Sequence, residues 1–215
     1  VNKFYNHQNR SFFGKDTYQQ IFKNKQKNKI ISTKLELCEH LKLNFNKPIV
    51  IILSHELTDG NLNNSWNLFE NDMYWLKETM KKIVSLNSVN WIIKSHPSED
   101  IYNAKIKTKS LYEKYCKDKK NIKLFPKNLK LQNENKIYNC AITSHGSAGF
   151  EFPGIGIPTI ICGDTPYSSL GFNVEPKSKK EYFKLLRNIR KIKKNSKLEI
   201  QKCRFFNFMY HQLCT

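Results

Sequence analysis

From residue 49 onward, short apolar runs alternate with segments whose apolar residues recur at helical spacing, and few architectures accept that pattern. Ile49-Val50-Ile51-Ile52-Leu53 is one such run and Pro158-Thr159-Ile160-Ile161-Cys162 another. Strands are expected over 49–54, 89–94, 121–125, 137–143 and 157–162. Met73, Leu76, Met80, Ile83 and Val84 predict a helix over 72–86. Further helices are expected near 101–118, just after 149, over 178–194 and over 197–213, and Ser178-Lys179-Lys180-Glu181 reads as a capping box. Such alternation predicts an α/β fold of three layers, a parallel sheet with helices on both faces. Residues 1–47 read as a linker or tail with a short helix at Leu35, Leu37, Leu41 and Leu43. Residues 48–195 then form the sheet domain, and 196–215 a C-terminal helix. The chain shows no internal repeat.

Composition narrows the function classes. Hydrophobic residues make up 39% of the 215, enough for a core and against wholesale disorder. The longest apolar runs fall far short of the roughly 20 residues a helical membrane span needs. No leader pattern opens the chain, which starts with Val rather than Met, so a trimmed chain or part of a longer protein is expected. The net charge of +19 invites a nucleic-acid reading, yet only Arg10, Arg187, Arg190 and Arg204 of the 37 basic residues are Arg. Phosphate and base recognition favours the bidentate Arg fork. Lys, Asn and Ile share A/T-rich codons, so genome composition accounts for much of the charge. Nucleic acid is therefore not an expected partner. Anionic substrates fit, as does peripheral contact with an anionic membrane at the inner face of the plasma membrane. Cysteines 38, 116, 140, 162, 203 and 214 form no CxxC pair, so a reduced cytoplasmic protein is expected. Zinc is not expected, for want of ligand spacing.

In open parallel sheets, ligands sit beyond the carboxyl ends of the strands. The loops leaving the strands, 54–65, 94–99, 143–149 and 162–172, hold most of the unusual residues. The segment Thr143 to Glu151 joins a strand to a helix. Backbone N–H groups at Gly146, Ser147, Ala148 and Gly149, the Ser144 and Ser147 hydroxyls and the neighbouring His145 can form an anion pocket for a nucleotide phosphate. An ordinary tight turn fits the same residues. The segment is neither GxGxxG nor a P-loop, and Pro153 requires a short or bent helix. His96, in Lys94-Ser95-His96-Pro97, can donate to a phosphate or act as an acid, with Lys94 neutralising charge. A locally satisfied histidine and a surface lysine are the plainer readings. The loop after residue 53 offers His55, Glu56, Asp59 and Gly60; Asp59 is a candidate general base, or part of a solvated turn. In the fourth loop Tyr167 could stack on a base or sugar, and Gly163 permits close approach, unless the loop is only shaped by Pro166 and Gly171. His7, His40 and His211 are expected to be non-catalytic.

Taken together, the KSHP turn at 94–97, the TSHGSAGFE segment at 143–151, the GIGIPTIICGDTPYSSLGF segment at 154–172 and Glu181-Tyr182 resemble the nucleotide-sugar domain of GT-B glycosyltransferases. The likeness runs over roughly residues 48–190. Within that superfamily they are most similar to bacterial capsule and surface-polysaccharide biosynthesis proteins, akin to Kdo and sialic-acid transferases. The resemblance implies a Rossmann-like half of a GT-B enzyme and a nucleotide-sugar donor bound by His96-Pro97, Ser144 and Ser147. Glu151 resembles the acidic residue that contacts donor ribose or sugar. Asp59-Gly60 is similar to the acidic-Gly motif of sialyltransferases, whose catalytic carboxylate lies in the N-terminal domain. The resemblance further implies a glycan or lipid-linked glycan acceptor, a separate N-terminal acceptor domain, and neither cofactor nor metal. On this reading His96, Asp59 and Glu151 are the expected catalytic residues. A sugar-nucleotide epimerase of the same fold, or a non-catalytic binding module, is the alternative.

Overall fold

The computed structural model describes residues 29–57, 68–99, 106–132 and 134–213. Its main sheet has five parallel strands: β2 (Ile49–Leu53), β3 (Asn90–Lys94), β4 (Ile122–Leu124), β6 (Cys140–Thr143) and β7 (Thr159–Ile161). Their order is β4-β3-β2-β6-β7. Ile51 is the middle of the register, opposite Ile92 on one side and Ala141 on the other. The chain builds outward from β2 through β3 to β4, then returns to the other side of β2 with β6 and continues to β7. The direction of growth reverses between β2 and β6, and there the connections leaving the two strands diverge to opposite faces and open a crevice.

Strand residues alternate between two cores, as the period of two requires. Val50, Ile52, Trp91, Ile93, Cys140 and Ile142 face one core. Against it pack α2 (Asp72–Ile83) and α6 (Lys179–Arg187), while α3 (Thr108–Tyr115) adds partly buried side chains. Ile49, Ile51, Ile92 and Ala141 face the other, with α1 (Lys34–Leu41), α4 (Glu134–Ile137) and Phe152 of α5 (Ala148–Gly154). The expected three-layer α/β architecture is the one observed. Among the described residues no helix is long and apolar enough to cross a membrane.

Several boundaries differ from expectation. Lys29–Ile31 is a strand, β1, paired in parallel with β5 (Leu129–Leu131), so a part of the expected linker belongs to the fold. Residues 1–28 lie outside the described residues. Ile137 closes helix α4, and the strand expected from 137 starts at Cys140. The basic helix stops at Arg187, and Ile189–Lys191 tightens into a 3-10 turn. Ser178 does cap α6, accepting from the Glu181 N–H at 3.2 Å, but the Glu181 carboxylate accepts from Lys177 N rather than from Ser178 N. The final helix, α7 (Lys197–Leu213), is not a detached appendage. Cys203 donates its thiol to the Phe150 carbonyl at 2.8 Å, and Arg204 Nε donates to Gly154 O at 2.8 Å, tying α7 to α5. All five described cysteines are buried and unbridged.

Candidate functional site

At the reversal point, beyond the carboxyl ends of β2 and β6, polar side chains converge. Leaving β2, the chain passes Ser54, His55 and Glu56; leaving β6, it passes Ser144 and His145. Asp72 opens α2 on the same rim, behind Asn71, whose side chain caps the helix by accepting from Tyr74 N at 2.9 Å. Asp72 is 3% exposed. Ser144 donates its hydroxyl to Asp72 Oδ1. Oδ2 lies 3.6 Å from His55 Nδ1 and 3.5 Å from His145 Nε2. The ring centroids of His55 and His145 are 4.1 Å apart, and the His96 ring lies 5.4 Å from that of His55. Two histidines from two strand ends therefore flank one buried carboxylate, and a third, His96, stacks against His55.

His96 is held by its own scaffold. Its backbone N–H donates to Ser54 Oγ at 2.9 Å, joining the turn after β3 to the start of the loop after β2. Glu99, buried one turn later, accepts from Thr108 N at 3.2 Å and from the Thr108 hydroxyl. Burial pushes its carboxyl up, against the hydrogen bonds from Thr108.

Lys94 points to the other face of the sheet, 5.5 Å over the Phe125 ring. It supplies positive charge to two carboxyls, Glu134 and Glu151, both pushed up chiefly by burial. The Ser147 hydroxyl hydrogen-bonds Glu151 and partly offsets that rise.

The turn after β6 is shaped from below. Gly146 adopts φ +99°, a conformation side chains resist, and its position lets His55 approach to 3.6 Å of where a Cβ would stand. Its carbonyl accepts from the Tyr167 hydroxyl. Tyr167 is 2% exposed and packs between Phe150, Phe172 and Phe206. Gly149 is required for contact, since a Cβ there would sit 2.3 Å from the Tyr167 oxygen.

Of the residues expected at the site, His96 and His145 come together, joined by His55 and Asp72. Ser144, expected on phosphate, is buried and turns its hydroxyl onto Asp72. Tyr167, expected to stack on a base or sugar, is buried against Phe150, Phe172 and Phe206 and donates to the Gly146 carbonyl. Gly149 N–H is committed to Gly146 O at 3.1 Å, which removes one of the four expected backbone donors. Ser147 is exposed beside Glu151, Ala148 is half-buried and Gly163 is buried. Asp59 lies outside the described residues. Asp72 and Glu99 are not evident from spacing. The signal that points to Asp72 is an Asn-Asp pair opening the helix after a strand-end loop, where an acidic residue reads first as helix N-terminal charge.

No protein-family model matches the chain, and no curated protein does. Some solved structures are similar to it in part. The S. aureus MnaA–UDP co-structure matches with a TM-score of 0.47 and 11% identity, over 81% of this chain and 48% of that one. Thermosulfurimonas dismutans KpsC, a beta Kdo 2,7 transferase, gives 0.43 and 15% over 68% and 47%. The C-terminal domain of a glycosyl transferase group 1 family protein, LpcC, from Francisella tularensis gives 0.42 and 13% over 87% and 96%. The chain thus spans about half the length of the first two.

Proposed function

We propose that this chain is the donor-binding half of a glycosyltransferase that moves a sugar from a nucleotide-sugar to a cell-surface polysaccharide or lipopolysaccharide acceptor. One observation carries the reading: His55, His96, His145 and Asp72 converge at the reversal point of a parallel sheet, beside the Gly146–Gly149 turn. That is where an open α/β sheet binds its ligand. In the reaction, the bond between the anomeric carbon and the phosphate oxygen breaks, a bond to the acceptor oxygen forms, and the acceptor hydroxyl's proton passes to a carboxylate base, for which Asp59 is the candidate. His96 donates to the departing phosphate. The Ser147 and Ala148 N–H groups, joined by the Ser147 hydroxyl once it turns from Glu151, meet charge that grows as the bond breaks, the task for which pre-aimed donors are suited. Glu151 orients the sugar or ribose. The acceptor is held by a second domain.

Calorimetric titration of the chain with CMP, UDP, GDP and dTDP tests this. One nucleotide binds, and His96→Ala and Ser147→Ala each weaken it by about 10- to 100-fold, the weight of a hydrogen bond to a charged group. Equal binding by both variants, or no binding of any nucleotide, overturns the assignment. Incubation with the sugar donor alone separates transfer from epimerisation, which needs no acceptor.

A further inference from the structure

We propose that His55, Asp72 and His145 form a binding site for a first-row divalent metal ion of the zinc class. The two ring-nitrogen to carboxylate distances, 3.6 and 3.5 Å, are long for hydrogen bonds, which cluster near 2.9 Å. A further contact of His55 Nδ1 among the described residues, the Glu56 carbonyl at 3.4 Å, is also long. Those distances suit a different arrangement. Donor atoms about 2.0–2.1 Å from a tetrahedral ion stand about 3.4 Å from one another. The three donor atoms all lie within 4.8 Å of each other.

The donor set selects the ion. Two imidazoles and one carboxylate suit zinc, cobalt or nickel, whereas magnesium and calcium want oxygen throughout. The surroundings are built as metal surroundings are. Ser144 holds Asp72 Oδ1 and so turns Oδ2 to the two rings, an outer hydrogen bond of the type that orients ligating carboxylates. Thr143 Oγ1 donates to the His145 carbonyl at 2.7 Å and fixes the backbone that carries the ring. Asp72 is 3% exposed, and a dication between the rings would meet its charge where water has little access. Three protein ligands leave a fourth position for water or an anionic oxygen. Since the ligands come from three separate segments, no HxxxH or CxxC spacing announces them.

The proposal stands apart from the transferase reading, because its test contains no nucleotide. Cobalt(II) is titrated into the full chain. One equivalent gives the intense visible band of four-coordinate cobalt, zinc displaces it, and zinc raises the melting temperature of the parent. His55→Ala and His145→Ala each weaken cobalt binding by about 100-fold or more, and Ser144→Ala by about 10-fold. His40→Ala leaves it unchanged. His55, with 22% of its side chain exposed, is the variant least able to disturb folding, so its thermal response to zinc decides if another variant unfolds. A pale six-coordinate spectrum, affinity that survives both histidine substitutions, or a sulfur-to-cobalt charge-transfer band placing the ion on a cysteine overturns it.

Discussion

Gly149 has room for a hydrogen and nothing more. A methyl group there would meet three Tyr167 atoms at 2.3 to 2.6 Å, and they belong to a ring wedged among other rings. Gly149→Ala therefore costs about 1–3 kcal/mol in urea unfolding, the usual cost of overpacking. In a Tyr167→Ala background the same substitution costs far less, and the cycle reads the contact directly. Glu151 gives a second test at this scale. Burial raises its folded carboxyl pKa above the ordinary 4.5, so the folded state holds the proton more tightly than the unfolded one. The stability linked to that proton is complete below about pH 4.5 and is lost as pH rises through the folded value. Glu151→Gln flattens the fall in urea midpoint over that window. Some slope persists, because Glu99 and Glu134 shift the same way.

Among the elements, α2 carries the site's only described buried aspartate in its first turn, and Asn71 holds that turn closed. Asn71→Ala removes the cap and costs about 1 kcal/mol, measured by chemical denaturation. Four of the five main strands were legible as apolar runs, β4 (Ile-Lys-Leu) from its place in the alternation, and the helix from Asp72 because its apolar residues keep a 3.6 period. β1 and β5 were not, since Lys-Ile-Ile and Leu-Lys-Leu are short runs within polar, Lys-rich stretches and stand outside the strand-helix alternation. Residues 137–139 read as strand because Ile137 and Tyr138 are apolar and run into β6, yet those two side chains are buried where a short helix turns onto the sheet. The site divides in the same way. His96 and His145 announce themselves at strand ends beside Pro97 and Gly146. Asp72 acquires its meaning only when β6 inserts next to β2, a non-local pairing that no window of sequence contains.

For the molecule as a whole, the site turn is supported by the chain's far end. Phe206 of α7 touches Phe150, Tyr167 and Phe172, ring centroids 5.5 to 6.2 Å away, and Tyr167 in turn holds the Gly146 carbonyl. Gly146 reaches its positive φ without strain, and the Tyr167 hydroxyl selects the conformation that turns its carbonyl inward. α7 is thus the floor of the site, and the chain unfolds in one cooperative transition rather than shedding 197–213 first. Phe206→Ala costs about 2–4 kcal/mol, near the low end for a large-to-small change because the ring is only partly buried. It also weakens ligand binding at the rim without touching the ligand. Phe206→Leu, which keeps most of the volume, recovers most of both. Two separated urea transitions in the parent, one reporting helix loss and the other sheet loss, would instead mean that α7 is an independent appendage and that the Gly146 turn holds its shape alone.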